Sequence, residues 1–160
     1  DLNAPTGGRV SYRKKFEIQG LKTKASFADS LRPVLSHHLK RITRRAEKYL
    51  NKPDETHLHS LRISLRRFRY ILEAYCALIK PARFKKIYAL AVALQNLLGE
   101  RRDLDVMQAK LKQIFNAGNT PLPASVITEL QTARSAFDRQ IAEALPQFTA
   151  EKQLHKLVSA

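Results

Sequence analysis

Apolar residues recur along this chain at three- and four-residue intervals, while strand-type alternation is scarce. That period is the mark of amphipathic helices, so the pattern predicts an all-α domain. The first helix is expected from about Ser26 to Leu50, with Phe27, Leu31, Leu35, Ile42 and Tyr49 as its core stripe. Pro33 either kinks it or marks where its regular part begins. Asn51-Lys52-Pro53-Asp54 stops it. The second helix is expected from about Glu55 to Ile79, with Leu58, Leu61, Leu65, Phe68, Leu72 and Ile79 on one face. The third starts near Ala82 with the stripe Ile87, Ala91, Leu94 and Leu98; Gly99 is a candidate kink before it resumes to Phe115. After a turn at 116–123, a fourth begins near Pro123, carries Val126, Leu130, Phe137 and Ile141 inward, and is bent or split at Pro146.

Four long helices with short loops favour an antiparallel four-helix bundle over residues 23–160. Residues 1–22 hold Pro5, Gly7, Gly8 and Gly20, and are expected to form a poorly ordered leader, with one short extended piece at Val10–Ile18.

Charge changes the picture. The chain has 29 Lys+Arg against 14 Asp+Glu, a net charge of +15. Such an excess repels itself in a compact state, and its usual reason is a polyanion: nucleic acid, an anionic membrane or a phosphate polymer. On the second helix the cations are ordered. His59, Arg62, Arg66 and Arg69 stand at i, i+3, i+7 and i+10, a line roughly 100° from the core direction and about 15 Å long. Arg67 lies further round. A line beside the core face is where a neighbouring helix completes a groove, and guanidinium forks there suit phosphate oxygens. The bland alternative is a solvated face paired with acids of adjacent helices. Glu73 lies on the line, but the local acids are too few to pair every arginine.

The third helix carries Leu98-Gly99-Glu100-Arg101-Arg102-Asp103-Leu104-Asp105-Val106. If the helix continues through Gly99, Asp105 falls near its core stripe and needs a cationic partner. An arginine of the second helix is the natural candidate, so Asp105 is read as a brace. Asp103 points elsewhere, toward Arg101, Arg102 or a lysine. The alternative makes both acids plain surface residues.

His59-Ser60-Leu61-Arg62-Ile63-Ser64-Leu65-Arg66-Arg67-Phe68-Arg69 and Leu98-to-Val106 together resemble the two motifs of the CHAD family, the conserved histidine α-helical domains. Ile63 replaces the usual valine, and the arginine pair comes one position early; the second motif matches in full. The resemblance implies binding of inorganic polyphosphate through a basic surface, association with polyphosphate granules, and helical bundles. It implies His59, Arg62, Arg66 and Arg69 as polyphosphate ligands, with Arg67, Arg101 and Arg102 as further candidates; Asp103 and Asp105 are the structural braces on the residue reading above. On the first helix, His37, Arg41, Arg44, Arg45 and Lys48 are candidates to extend the surface. A CHAD domain usually has two similar four-helix bundles about a pseudo-twofold. This chain has length for one, so a homodimer or a second bundle of a larger chain is the expected complement.

Other chemistry is thinly supported. His37 and His38 point about 100° apart, a poor metal pair. His38 falls on the core stripe and is expected to be packed and hydrogen-bonded. No Cys/His spacing suggests zinc and no phosphate loop of the P-loop type is present, so no metal, cofactor or catalysis is expected. Cys76 allows no disulfide within the chain, fits a reducing, cytoplasmic setting, and is expected to be a small buried apolar residue. No run of about 18 apolar residues exists, so no membrane span is expected. Nucleic acid is the competing ligand. Against it stand the absence of Trp, an aromatic share of 8%, and a line without stacking rings apart from Tyr70. A helical scaffold for acidic proteins is the third reading.

Overall fold

The structure, a computed structural model, describes residues 18–158. It is all-helical among those residues: α1 (Phe27–Asn51), α2 (Glu55–Ala74), a 3-10 turn at Cys76–Leu78, α3 (Pro81–Ala117), α4 (Ala124–Thr149) and α5 (Lys152–Val158). Most of the expected leader, and with it all but the last residue of the extended piece proposed at Val10–Ile18, lies outside the described residues.

Local chemistry explains the boundaries. Ser26 Oγ accepts from the Asp29 amide at 3.1 Å, and Asp54 Oδ1 accepts from the His57 amide at 2.8 Å, which starts α1 and α2 with side-chain caps. Pro81 opens α3, where its missing N–H costs nothing. At the other end, Asn119 has φ 51°, the left-handed conformation that ends helices. The amides of Asn119 and Thr120 return to the carbonyls of Asn116 and Phe115 at 3.1 and 3.0 Å, the paired bonds of a Schellman motif.

Neighbouring helices run antiparallel where their contacts mark direction. The start of α1 meets the end of α2 at Ser30 and Tyr75, whose hydroxyls are 2.6 Å apart; the end of α1 meets the start of α2 where Arg45 donates to the Ser60 carbonyl at 2.8 Å. Along α2 and α3, Tyr88 donates to Glu73 at one end and Arg102 pairs with Glu55 at the other. The core holds Leu35, Ile42 and Tyr49 of α1, Leu58 to Leu72 of α2, Ile87 to Leu98 of α3, and Ile141, Leu145 and Phe148 of α4. Phe68 and Phe148 meet edge to face at 5.9 Å. α5 closes one end with Leu154 and Leu157, and is tied to α3 by Arg83 Nε, which donates to Gln153 Oε1 at 3.1 Å, and by the Lys86–Glu151 ion pair just before it.

Several expectations are corrected. Among the described residues there are five helices, the four long ones expected and the short α5. The second ends at Ala74, not Ile79; a 3-10 turn at Cys76–Leu78 and the extended Ile79 carry the chain to Pro81. Cys76 falls on that turn and is exposed. α3 is unbroken at Gly99. α4 is not split at Pro146: it runs through the proline, which removes one amide donor while Ile141, Leu145 and Phe148 hold the last turns in the core. α1 likewise runs through Pro33. Phe27 is 59% exposed and stacks on Tyr75 rather than joining the core.

α3 has 37 residues and α2 has 20, or roughly 55 and 30 Å. Since Arg102 lies beside Glu55 at the start of α2, the rest of α3 extends past α2.

Candidate anion-binding site

The basic line of α2 faces α3. His59, Arg62, Ile63 and Arg66 line a cleft of about 90 Å³ whose far wall is Gln95 of α3. His59 and Arg66 are exposed, and Arg62 is half-buried. Arg62 Nε and Gln95 Oε1 are buried without a protein hydrogen-bond partner, so each keeps an unused polar atom beside the cleft. None of the cleft's lining residues is a carboxylate.

Carboxylates sit at the two ends of α2 instead. Glu73 Oε1 lies 3.3 Å from Arg69 Nε, at ion-pair distance but without hydrogen-bond geometry. The same oxygen accepts from Tyr88 Oη at 2.7 Å, which raises the Tyr88 pKa. The Arg69 guanidinium also lies over the Tyr70 ring, 5.3 Å from its centroid. At the other end Arg102, half-buried, pairs with Glu55.

Arg101 is not at the surface. It is fully buried; its Nη1 donates to Asp105 at 2.5 Å and its Nε to Asp138 of α4 at 2.7 Å. Burial pulls its pKa down, but the bonds to Asp105 and Asp138 outweigh that and leave it raised. Arg101 is therefore a core ion pair rather than a surface ligand. Asp105 braces this arginine of its own helix, not one of α2, because i and i+4 share a helix face. Asp103 is exposed and makes no ion pair among the described residues, so it braces nothing. Asp138 also accepts from Tyr49 Oη at 2.5 Å; with burial and that bond, the Tyr49 pKa lies far above its usual value.

The first-helix cations divide. Arg45 turns inward and is bound to the Ser60 carbonyl and to Ser64 Oγ, so it fastens α1 to α2 and is not on the surface line. Burial, then Arg41 and Arg67, lower its pKa. His37, Arg41 and Arg44 line a groove of about 280 Å³ on α1 together with Lys40. Lys48 is exposed in the last turn and is not among that groove's lining residues. His38 is half-buried, and burial, then His37, Arg41 and Arg67, lower its pKa to about 4. Arg67 is exposed on the flank of α2 opposite the cleft, toward α1.

Sequence reasoning missed Gln95, Asp138 and Ser64. Asp138 stands three residues before Ile141 and seven before Leu145, so its place on the inward face of α4 was legible. Gln95 stands four residues after Ala91 and three before Leu98, so its place beside the core stripe was legible too; only the register of α3 against α2 brings it to the cleft with His59.

Among the described residues, no group of three His, Cys, Asp or Glu side chains is placed to hold a metal ion, and no helix is long and apolar enough to cross a membrane. Fold and site define a protein that is all-helical among the described residues and carries a cationic helix face. The chain belongs to the CHAD-domain family: the family model, CHAD domain, matches residues 11–112, which include α1, α2 and most of α3. No curated protein and no solved structure matches the chain.

Proposed function

We propose that this protein binds inorganic polyphosphate, without catalysis, on the α2 face. The supporting observation is the cleft in which His59, Arg62 and Arg66 converge opposite Gln95 with no lining carboxylate. Guanidinium groups take phosphate oxygens in pairs, and a repeated line of them suits a polymer with repeated charge. His59 adds a hydrogen bond, and no carboxylate in the cleft orients it as a base. Arg69 and Arg102, each held by a carboxylate, lie at the margins. In this reading the chain is one helical bundle of a pair, completed by a second copy or a second bundle, and it associates with polyphosphate granules in the cytoplasm.

Nucleic acid is the second reading, favoured by Tyr70, which is 52% exposed beside Arg69 and offers a stacking ring. Competition between labelled long-chain polyphosphate and unlabelled single-stranded RNA, duplex DNA or an acidic protein separates these readings, run at several salt concentrations. Polyphosphate is expected to win per charge, and a His59/Arg62/Arg66/Arg69→Ala variant to lose binding while staying helical. Equal competition by RNA or DNA, or unchanged binding by the variant, would overturn the assignment. Stronger competition by the acidic protein would point to a scaffold.

A further inference from the structure

The sequence arranges the cations of α1 and α2 as one surface; the structure separates them. His37, Lys40, Arg41 and Arg44 follow one another at i, i+3, i+4 and i+7, so they share a face of α1; the groove all four line contains no carboxylate, and Glu47 lies in the adjoining groove that Lys40 and Arg44 also border. Gln19 and Ser36 complete its polar lining. The wall is made by the segment before α1. Gly20 has φ 85°, a conformation in which only glycine is unstrained, and the Leu21 amide closes a turn on the Ile18 carbonyl at 3.1 Å. That turn folds back onto α1: a side chain at Gly20 would meet Pro33 Cβ at 3.8 Å. Gln19 is thereby placed on the groove's wall.

Between this groove and the α2 cleft the surface is less charged than the sequence implies. Arg45 is withdrawn to Ser60 and Ser64. His38 is half-buried, and its neighbours Arg41 and Arg67 disfavour its charged form. Arg67 is left as the exposed cation on the seam. The cleft opens toward α3 and the groove lies on α1, so a path joining them crosses the outer face of α2, on the order of 20 Å or two helix spacings.

We propose that α1 carries a second anion site, separate from the α2 cleft, and that a phosphate polymer long enough to pass over Arg67 occupies both. The inference rests on the polyphosphate reading of the cleft. A short oligophosphate fills either site alone. A long one, held at the first, meets the second at high effective concentration, so affinity rises steeply once the chain spans the gap. Chain-length preference then comes from the spacing of two sites rather than from the chemistry of either.

Calorimetric titration of the full chain with tripolyphosphate and with long-chain polyphosphate tests this, using Arg41→Gln/Arg44→Gln and Arg62→Gln/Arg66→Gln variants whose helicity is checked by circular dichroism. The wild type is expected to bind two equivalents of tripolyphosphate and to bind the long chain at least tenfold more tightly. Each variant is expected to keep one equivalent of tripolyphosphate and to lose the long-chain advantage. If Arg41→Gln/Arg44→Gln changes neither stoichiometry nor long-chain affinity while Arg62→Gln/Arg66→Gln abolishes binding, the second site falls and the polyphosphate function stands. If neither variant changes binding, both fall.

Discussion

Arg101 Nε donates to Asp138 Oδ1 at 2.7 Å, joining α3 to α4 through a guanidinium with no solvent exposure. The same arginine holds Asp105, and Tyr49 of α1 donates to the same Asp138 oxygen, so three helices meet at one ion cluster. Removing the cation leaves two carboxylates in a poorly hydrated place. Arg101→Ala is expected to destabilise the fold by about 3–5 kcal/mol, as measured by urea unfolding. Asn at Asp105 and Asp138 in the same chain should recover part of that loss, because the uncompensated charges go with it. A loss below about 1 kcal/mol would show that the cluster is not a fastening.

Gly99 lies in the middle of α3, and a Cβ added there meets nothing within 4 Å. Glycine costs a helix interior about 0.5–1 kcal/mol relative to alanine, since more backbone freedom is lost on folding. Gly99→Ala should therefore raise stability by that amount in thermal or urea unfolding. Stability gained together with weakened ligand binding would mean that something must approach the backbone at this position.

Glu73 puts a fixed anion at the end of the α2 line, held by Tyr88 and within 3.3 Å of Arg69. It competes with the ligand for that arginine. Glu73→Gln is expected to tighten polyphosphate binding roughly two- to fivefold at low salt, the range of an exposed charge pair, with the gain shrinking as salt rises. Equal affinity in both proteins at low salt would place the end of the bound polymer short of Arg69.

His38 has a folded pKa near 4 against 6.5 for an ordinary imidazole. The unfolded chain therefore takes up a proton on lowering pH before the folded one does. Stability contributed by neutral His38 is present above about 6.5 and is lost as pH falls toward 4. His38→Gln should flatten the dependence of unfolding free energy on pH between 7 and 4.5. An unchanged slope would assign it to other groups.

The sequence by itself determined what depends on near neighbours. Apolar period fixed α1, α2, α3 and most of α4, because burying one stripe needs only residues three and four apart to agree. The α2 line was legible for the same reason: His59, Arg62 and Arg66 share a face on any helix, whatever packs beside it. Helix ends were less legible. The exposed Cys76 and the short α5 depend on how the chain meets Pro81 and on the core that Leu154 and Leu157 reach.

Tertiary structure decided which cations are free. Adjacent Arg101 and Arg102 look alike in sequence, yet one is buried against Asp138, 37 residues away, and the other stays near the surface with Glu55, 47 residues away. Arg44 and Arg45 divide in the same way, one to the α1 groove and one to Ser60 and Ser64. Successive helical residues point about 100° apart, so Arg101, three residues after Leu98, and Arg45, three after Ile42, turn inward with the core stripes while Arg102 and Arg44 do not. What no local window of sequence contains is the partner each meets there: Asp138 for Arg101, and Ser60 with Ser64 for Arg45, come from other helices.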